Sequence, residues 1–148
     1  MPTVQFSKVL EAPASQVWAL VRDFGGLAAW FPFIPHSELK DPAAAGQVGA
    51  VRVNTTQDGA FIEETLLELS DRDRRIVYAV TKGDVLTLDY QSTLTIHEVM
   101  VDGRAYADWT ARFDVVGDPA PVVEWVRHDI FQMCLEELER VAQQRQPA

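Results

Sequence analysis

Two charged residues with apolar neighbours carry the chemistry that this 148-residue sequence indicates. Arg52 has the same strand parity as Ala50, and Glu64 has the same parity as Ile62 and Leu66. A lone buried charge is costly, so we expect Arg52 and Glu64 to form a hydrogen-bonded pair. Two alternatives stand beside a functional role: the pair only stabilises the fold, or a bulge turns Glu64 outward.

The chemistry open to this pair is proton transfer on a carbonyl compound. A carboxylate held beside a guanidinium in a partly dry site can act as a general acid or base, which is the role predicted for Glu64. Arg52 would stabilise an enolate or oxyanion as it forms. The reaction class is cyclisation, dehydration or isomerisation, and it needs no cofactor.

Three hydroxyl side chains are predicted on the same apolar face of neighbouring strands. Tyr78 lies in a strand over 75–81, and Tyr90 and Ser92 lie in the next. A buried hydroxyl needs a partner or a water molecule. The region is therefore either a wet pocket, in which these groups orient a ligand or relay protons, or a set of mutually satisfied hydroxyls.

The elements that position these residues are read from hydrophobic periodicity and turn residues. A strand over 4–11 precedes a helix from residue 14 or 15 that ends at Gly25-Gly26, and a second short helix covers 27–31. Six further strands are predicted over 36–41, 47–55, 60–69, 75–81, 87–99 and 104–115. Their short connections favour antiparallel pairing.

The last predicted element is a long helix over 122–144, with Asp118 as its N-cap and Pro119 at its first position. Its apolar stripe is formed by Val126, Ile130, Cys134 and Leu138. A sheet with one apolar face and one amphipathic helix must bury those surfaces together. The sequence therefore predicts an α+β fold in which a bent, seven-stranded antiparallel sheet wraps around the helix.

One predicted strand indicates unfilled volume beneath this helix. The face of strand 104–115 that points inward is formed by Ala105, Ala107, Trp109, Ala111 and Phe113. Alanines leave space unless the helix supplies bulky side chains. This pattern fits a cavity, and it equally fits close packing of helix on sheet.

The element order and several local motifs resemble those of the START-like helix-grip superfamily (SRPBCC), in particular its polyketide cyclase/dehydrase and lipid-transport group. The motifs are Ala12-Pro13-Ala14-Ser15-Gln16-Val17-Trp18, Trp30-Phe31-Pro32, Val48-Gly49-Ala50-Val51-Arg52, Glu64-Thr65-Leu66-Leu67-Glu68-Leu69 and Asp89-Tyr90-Gln91-Ser92. The resemblance covers essentially the whole chain, residues 1–148, as a single domain.

This resemblance implies a helix-grip fold, with a pocket between the concave face of the sheet and the C-terminal helix. The expected ligand is a hydrophobic or aromatic small molecule of polyketide, lipid or terpenoid type. The predicted ligand-binding residues are Phe31, Tyr78, Tyr90, Ser92, Trp109, Val126, Ile130 and Cys134. Lachrymatory-factor synthases of the superfamily use an arginine and a glutamate at the positions of Arg52 and Glu64.

The sequence departs from the related plant abscisic-acid receptors at their ligand-sensing positions. Phe31 stands where those receptors carry the lysine that binds the hormone's carboxylate. Residues 54–59 replace the receptors' gate, and Val85-Leu86-Thr87 replaces their latch. Hormone sensing is therefore not predicted.

The composition limits which binding partners and which cellular compartment are expected for this protein. The net charge of −9 argues against nucleic acid and anionic membranes, and no apolar run approaches the ~20 residues that span a bilayer. A single cysteine and no secretion signal predict a cytoplasmic protein. Three scattered histidines predict no metal site, no organic cofactor is expected, and a homodimer is left open.

Three functions follow as hypotheses. The chain is a carrier or sensor of a hydrophobic small molecule, or it is a cofactor-independent cyclase or dehydratase centred on Glu64 and Arg52. The third hypothesis is that the aromatic cluster of Trp30, Phe31 and Phe33 docks a protein partner instead of closing a pocket. Trp125 likewise either closes the pocket or contacts a protein partner.

Overall fold

The computed structural model describes residues 1–83 and 85–145, which form a seven-stranded antiparallel sheet and a long C-terminal helix. The strands are β1 (Thr3–Pro13), β2 (His36–Leu39), β3 (Val51–Thr55), β4 (Phe61–Ser70), β5 (Arg75–Gly83), β6 (Leu88–Glu98) and β7 (Arg104–Asp114). Their order across the sheet is β1-β7-β6-β5-β4-β3-β2, so β1 joins the last strand and the other neighbours are consecutive. The predicted α+β helix-grip fold is confirmed.

The segment between β1 and β2 holds α1 (Ala14–Arg22) and a 3₁₀ helix (Phe24–Ala29). The second helix therefore begins three residues earlier and ends two residues earlier than the predicted range of 27–31. Asp23 leaves the helical region, with φ −77° and ψ 84°, so α1 already ends before the glycines. Gly25 and Gly26 lie within the 3₁₀ helix.

Strands β2 and β3 are shorter than predicted, because the chain between them turns tightly. Pro42–Ala44 forms a single 3₁₀ turn, and the Asp41 side chain caps it by accepting the Ala43 N–H at 3.1 Å. Gly46 and Gly49 then take positive φ angles of 77° and 95°, which L-residues with side chains adopt only with strain. Residues 47–50 therefore belong to a turn and not to the strand.

The C-terminal helix runs without interruption from residue 120 to residue 144 in three segments. Ala120–Trp125 and Met133–Gln144 are α-helical, and Val126–Gln132 between them is π-helical. Its N-cap is Pro119, one residue later than predicted, although the Asp118 side chain still accepts the Ala120 N–H at 3.1 Å. The periodicity of the sequence did not predict the π-helical segment, which is a rare feature that occurs frequently at functional sites.

The core lies between the concave face of the sheet and this helix. The inward alanines of β7 are fully covered, and the ring of Phe131 stacks on Trp109 with centroids 4.2 Å apart. Met133–Gln144 contacts β1 and α1. The helix therefore supplies bulk over Trp109, and the open space lies beside Val126 and Ile130.

Candidate functional site

A cavity of about 540 Å³ lies between the inner face of the sheet and the first half of the C-terminal helix. This volume is in the range of about 300–1,000 Å³ that is usual for small-molecule sites. The wall contains many of the predicted ligand-binding residues, namely Phe31, Tyr78, Tyr90, Trp109, Val126 and Ile130. The wall is mostly apolar and strongly aromatic, with a buried polar end and a few further polar residues such as the exposed Gln57 and Asp58.

Ser92, which the sequence placed in the ligand site, is not part of the cavity wall. Its hydroxyl accepts the indole N–H of Trp109 at 2.7 Å and donates to the Thr110 carbonyl at 3.3 Å. The side chain is completely buried. Strand parity predicted the correct face, but the Ser92 hydroxyl is hydrogen-bonded to Trp109 behind the cavity wall.

Cys134 is likewise absent from the cavity wall. It is completely buried on the α-helical segment that follows the π-helical one. Burial raises the pKa of its thiol far above the ordinary value, so the thiol stays protonated and unreactive. Cys134 is a small apolar core residue.

The polar end of the cavity is formed by an ion pair between β3 and β4. Arg52 and Glu64 are direct partners in the antiparallel register, and Arg52 Nε lies 2.8 Å from Glu64 Oε1. Both side chains are more than nine-tenths buried and both line the cavity. The register between β4 and β5 shifts between Glu63 and Glu64, yet Glu64 stays on the inner face.

Asn54 completes this cluster, and our reading of the sequence did not select it. Its Nδ2 donates to Glu64 Oε1 at 2.6 Å, and its Oδ1 accepts the Ser37 hydroxyl at 2.8 Å. The available signal was parity, since Asn54 lies two residues after Arg52 on the same strand. Asn54 is 2% exposed, so its hydrogen bonds are made away from bulk water.

The guanidinium of Arg52 packs against two neighbouring aromatic rings. Its Cζ lies 4.1 Å from the ring centroid of Phe24 and 4.6 Å from that of Tyr78. Nη1 donates to the Phe24 carbonyl oxygen at 3.2 Å. These contacts fix the plane of the guanidinium and compensate its charge without water.

The two oxygens of Glu64 differ in their surroundings. Oε1 accepts both hydrogen bonds, from Arg52 and from Asn54. Oε2 has no hydrogen-bond partner within residues 1–83 and 85–145, and Glu64 is part of the cavity wall. The site therefore offers one anionic acceptor oxygen to whatever occupies the cavity.

Two tyrosine hydroxyls remain protonated beside this acceptor. Burial, and next the charge of Glu64, raise the pKa of Tyr78, while Arg52 opposes them. Burial also raises the pKa of Tyr90, whose ring stacks on Phe113 with centroids 5.8 Å apart. At neutral pH both hydroxyls can therefore act as hydrogen-bond donors.

The start of β6 differs from its predicted parity. Leu88, which has the same strand parity as Tyr90 and Ser92, is 49% exposed, because the β6–β7 register shifts between Leu88 and Gln91 and Asp89 takes a φ of +53°. Thr87 is buried instead and lines the cavity beside Val85 and Leu86. An irregularity of this kind moves side chains to the other face, and the sequence carried no clear signal for it.

The aromatic cluster after α1 is part of the wall and is not an exposed patch. Trp30 is buried and its ring lies 5.9 Å from that of Trp109, while Phe31 and Phe33 line the cavity. Trp125 is 39% exposed and also borders the cavity. His36 is exposed and does not line the cavity.

Within the described part of the chain, no three His, Cys, Asp or Glu side chains come together as a metal-binding group. Nor does any helix there combine the length and apolar character that crossing a membrane requires.

Sequence comparison finds plant receptors among the relatives of this chain. Abscisic acid receptor PYL7 of Arabidopsis thaliana is 31% identical over 98 residues, which are 66% of this chain and 46% of the receptor. Abscisic acid receptor PYL6 of the same plant is 35% identical over 103 residues, which are 66% of this chain and 47% of that receptor. The matched region thus spans about half the length of these receptors.

Structure comparison finds similar folds in bacterial proteins. The protein XoxI from Bacillus cereus superposes with a TM-score of 0.84 at 24% identity, covering 97% of this chain and 96% of XoxI. A protein from Thermobifida fusca gives a TM-score of 0.80 at 28% identity, covering 100% of this chain and 98% of that protein. The family model described as polyketide cyclase/dehydrase and lipid transport matches residues 1–143. The chain belongs to this polyketide cyclase/dehydrase and lipid transport family.

Proposed function

We propose that this protein binds one small, predominantly apolar molecule of polyketide, lipid or terpenoid type in the cavity beneath its C-terminal helix. The observation that carries the proposal is the cavity of about 540 Å³ with aromatic walls and a buried Arg52–Glu64 pair in its lining. Apolar surface gives affinity in such sites, and a few placed polar groups orient the ligand. The named relatives, which are receptors for the small molecule abscisic acid, support a binding role for this fold.

A neutral fluorescent dye tests the binding function without knowledge of the natural ligand. Titration with N-phenyl-1-naphthylamine should give saturable fluorescence enhancement at one site per chain. Ile130→Trp places a larger side chain in the cavity and should weaken dye binding about tenfold or more. The control is Met133→Trp, on the same helix but 45% exposed and outside the wall, which should bind as the parent does.

Equal dye affinity in the Ile130 and Met133 variants would contradict binding in this cavity. So would an absence of saturable binding by the parent protein. Circular dichroism of each variant checks that the helix and the sheet are retained. Native mass spectrometry of the protein purified from its own host would then identify a co-purifying ligand.

A second candidate function is proton transfer on the bound molecule. It is favoured by Glu64 Oε2, which accepts no hydrogen bond from the part of the chain that the structure describes. This oxygen would remove a proton from the carbon beside a carbonyl group. The C–H electron pair then moves to the carbonyl oxygen, and the resulting enolate is stabilised by hydrogen bonds from Arg52 or Tyr78. Return of the proton to a different carbon completes an isomerisation. Expulsion of a β-hydroxyl, with the proton of Glu64, releases water.

Catalysis and carriage make different predictions for the ligand recovered from the host. A carrier returns the molecule unchanged after long incubation, whereas an enzyme converts it to a product that NMR spectroscopy distinguishes. Glu64→Gln should abolish such conversion, and Glu63→Gln, on the outer face of the same strand, should not. Conversion that survives Glu64→Gln would exclude Glu64 as the proton acceptor.

A further inference from the structure

The polar end of the cavity is balanced in charge by its own residues. The guanidinium of Arg52 is paired with Glu64 at 2.8 Å and covered by the rings of Phe24 and Tyr78. The remaining charged residue of the described wall, Asp58, is exposed and screened by water. The buried part of the wall therefore carries one positive and one negative charge, and these already compensate each other.

An anionic ligand is poorly matched to this wall. A ligand carboxylate that approached Arg52 would lie beside the carboxylate of Glu64, which repels it. The described lining contains neither a lysine nor a histidine that could compensate a second negative charge. Desolvation of the ligand carboxylate would therefore be uncompensated, at a high cost in binding free energy.

A cationic ligand is also poorly matched. Its charge would be buried close to the guanidinium of Arg52, and the only buried carboxylate of the described wall is already paired. Tyr78, the aromatic ring of the wall nearest to this ion pair, already lies under the guanidinium of Arg52. The charge balance thus selects against full charges of either sign.

Glu64 Oε2 has no hydrogen-bond partner among the described residues, so a ligand that covers it must supply a donor. The Glu64 side chain is more than nine-tenths buried. A ligand that covers Oε2 with an apolar or acceptor-only group leaves this oxygen without a hydrogen bond, and the ligand therefore binds more weakly. We propose that the site selects neutral molecules that direct a hydroxyl or N–H group at Glu64 Oε2 and bury an apolar body against the aromatic walls. This inference rests on the proposed binding function.

Four naphthalene derivatives of similar size test this selectivity by isothermal titration calorimetry at pH 7. They are 2-naphthol (a neutral donor), 2-methoxynaphthalene (neutral, without a donor), 2-naphthoic acid (an anion) and 2-(aminomethyl)naphthalene (a cation). A hydrogen bond to a charged group predicts that 2-naphthol binds about tenfold or more tightly than 2-methoxynaphthalene. Both charged compounds should bind more weakly than 2-naphthol.

The outcomes separate this inference from the binding function itself. Equal affinity for 2-naphthol and 2-methoxynaphthalene, or preference for the acid or the amine, would overturn the selectivity and leave a functional pocket. Failure of all four compounds to bind, together with failure of N-phenyl-1-naphthylamine, would overturn the binding function. The parent protein alone decides both questions.

A substitution then tests whether Glu64 is the acceptor. Glu64→Gln removes the negative charge and leaves Arg52 uncompensated, so the preference for 2-naphthol should fall and the affinity for 2-naphthoic acid should rise at least severalfold. Glu63→Gln is the matched control, since Glu63 points outward and pairs with Lys40 at 3.2 Å. Identical selectivity in both variants would show that Glu64 does not receive the ligand's donor.

Discussion

Arg52 and Glu64 face each other directly across the β3–β4 ladder, with Arg52 Nε 2.8 Å from Glu64 Oε1 and both side chains buried. Antiparallel register alone brings them together, because each strand contributes one inward position at the same level. A buried pair of this kind is costly to break at one side and much less costly to replace as a whole.

A double-mutant cycle should show this coupling. Arg52→Met and Glu64→Leu should each lower the free energy of unfolding by about 3–5 kcal/mol, because each leaves a buried charge without its partner. The double variant should lose far less than the sum of the two. Urea denaturation measures all four proteins. Lys40→Met, which breaks a partly exposed pair with Glu63, is the control and should cost about 1 kcal/mol or less. Additive losses at Arg52 and Glu64 would contradict the coupling.

Ser92 should affect stability but not ligand affinity. Ser92→Ala removes the acceptor of the Trp109 indole N–H and should lower the free energy of unfolding by about 1–3 kcal/mol. Dye binding should stay within about twofold of the parent, because Ser92 is not part of the cavity wall. Thr93→Ala, one residue further along β6, should cost less. A large loss of dye affinity in Ser92→Ala, without a loss of stability, would show that Ser92 contributes to ligand binding.

Tyr78 should make stability depend on pH in the alkaline range. Burial raises its pKa in the folded protein above the ordinary value of 10.0. The stabilisation that Tyr78 contributes to the folded state is therefore fully present below pH 10. It is lost as the pH rises above 10, because only the unfolded chain then releases the tyrosine proton. Above pH 10, the free energy of unfolding of Tyr78→Phe should fall less steeply than that of the parent, by up to about 1.4 kcal/mol per pH unit. Tyr106→Phe, on the outer face, is the control, and equal slopes in the two variants would contradict the prediction.

Gly83 is required at the end of β5 for steric reasons. Its φ is +122°, and an added Cβ would lie 2.3 Å from the Phe61 carbonyl oxygen, which belongs to the backbone. Gly83→Ala should therefore cost about 2–3 kcal/mol of stability. It should also weaken dye binding, since the neighbouring Ile62 lines the cavity. Gly46 has a φ of +77°, but no atom lies within 4 Å of an added Cβ. Gly46→Ala should therefore lower the stability by a smaller amount, about 1–2 kcal/mol, in thermal denaturation. A Gly83→Ala loss no larger than that of Gly46→Ala would show that the contact with Phe61 is unimportant.

The fold class and the inner face of most strands could be predicted, because period-two alternation is a local property of the chain. Ala105, Trp109 and Phe113 are buried as their parity indicates. The inward position of Arg52 rested on parity together with family resemblance. Local irregularities could not be predicted, since the positive φ of Asp89 and the exposure of Leu88 depend on how β6 meets β7.

The sequence by itself determined the order of the elements and favoured antiparallel pairing, and together with the family resemblance it predicted two opposite charges at inward positions. Only the tertiary structure decided which hydroxyl-bearing residues line the cavity. The Ser92 hydroxyl accepts the indole N–H of Trp109, whereas Tyr78 and Tyr90 line the cavity. It also decided that Asn54 shares Oε1 of Glu64 with Arg52. Hydrogen bonds of this kind depend on distances between strands, and periodicity along one strand does not contain them.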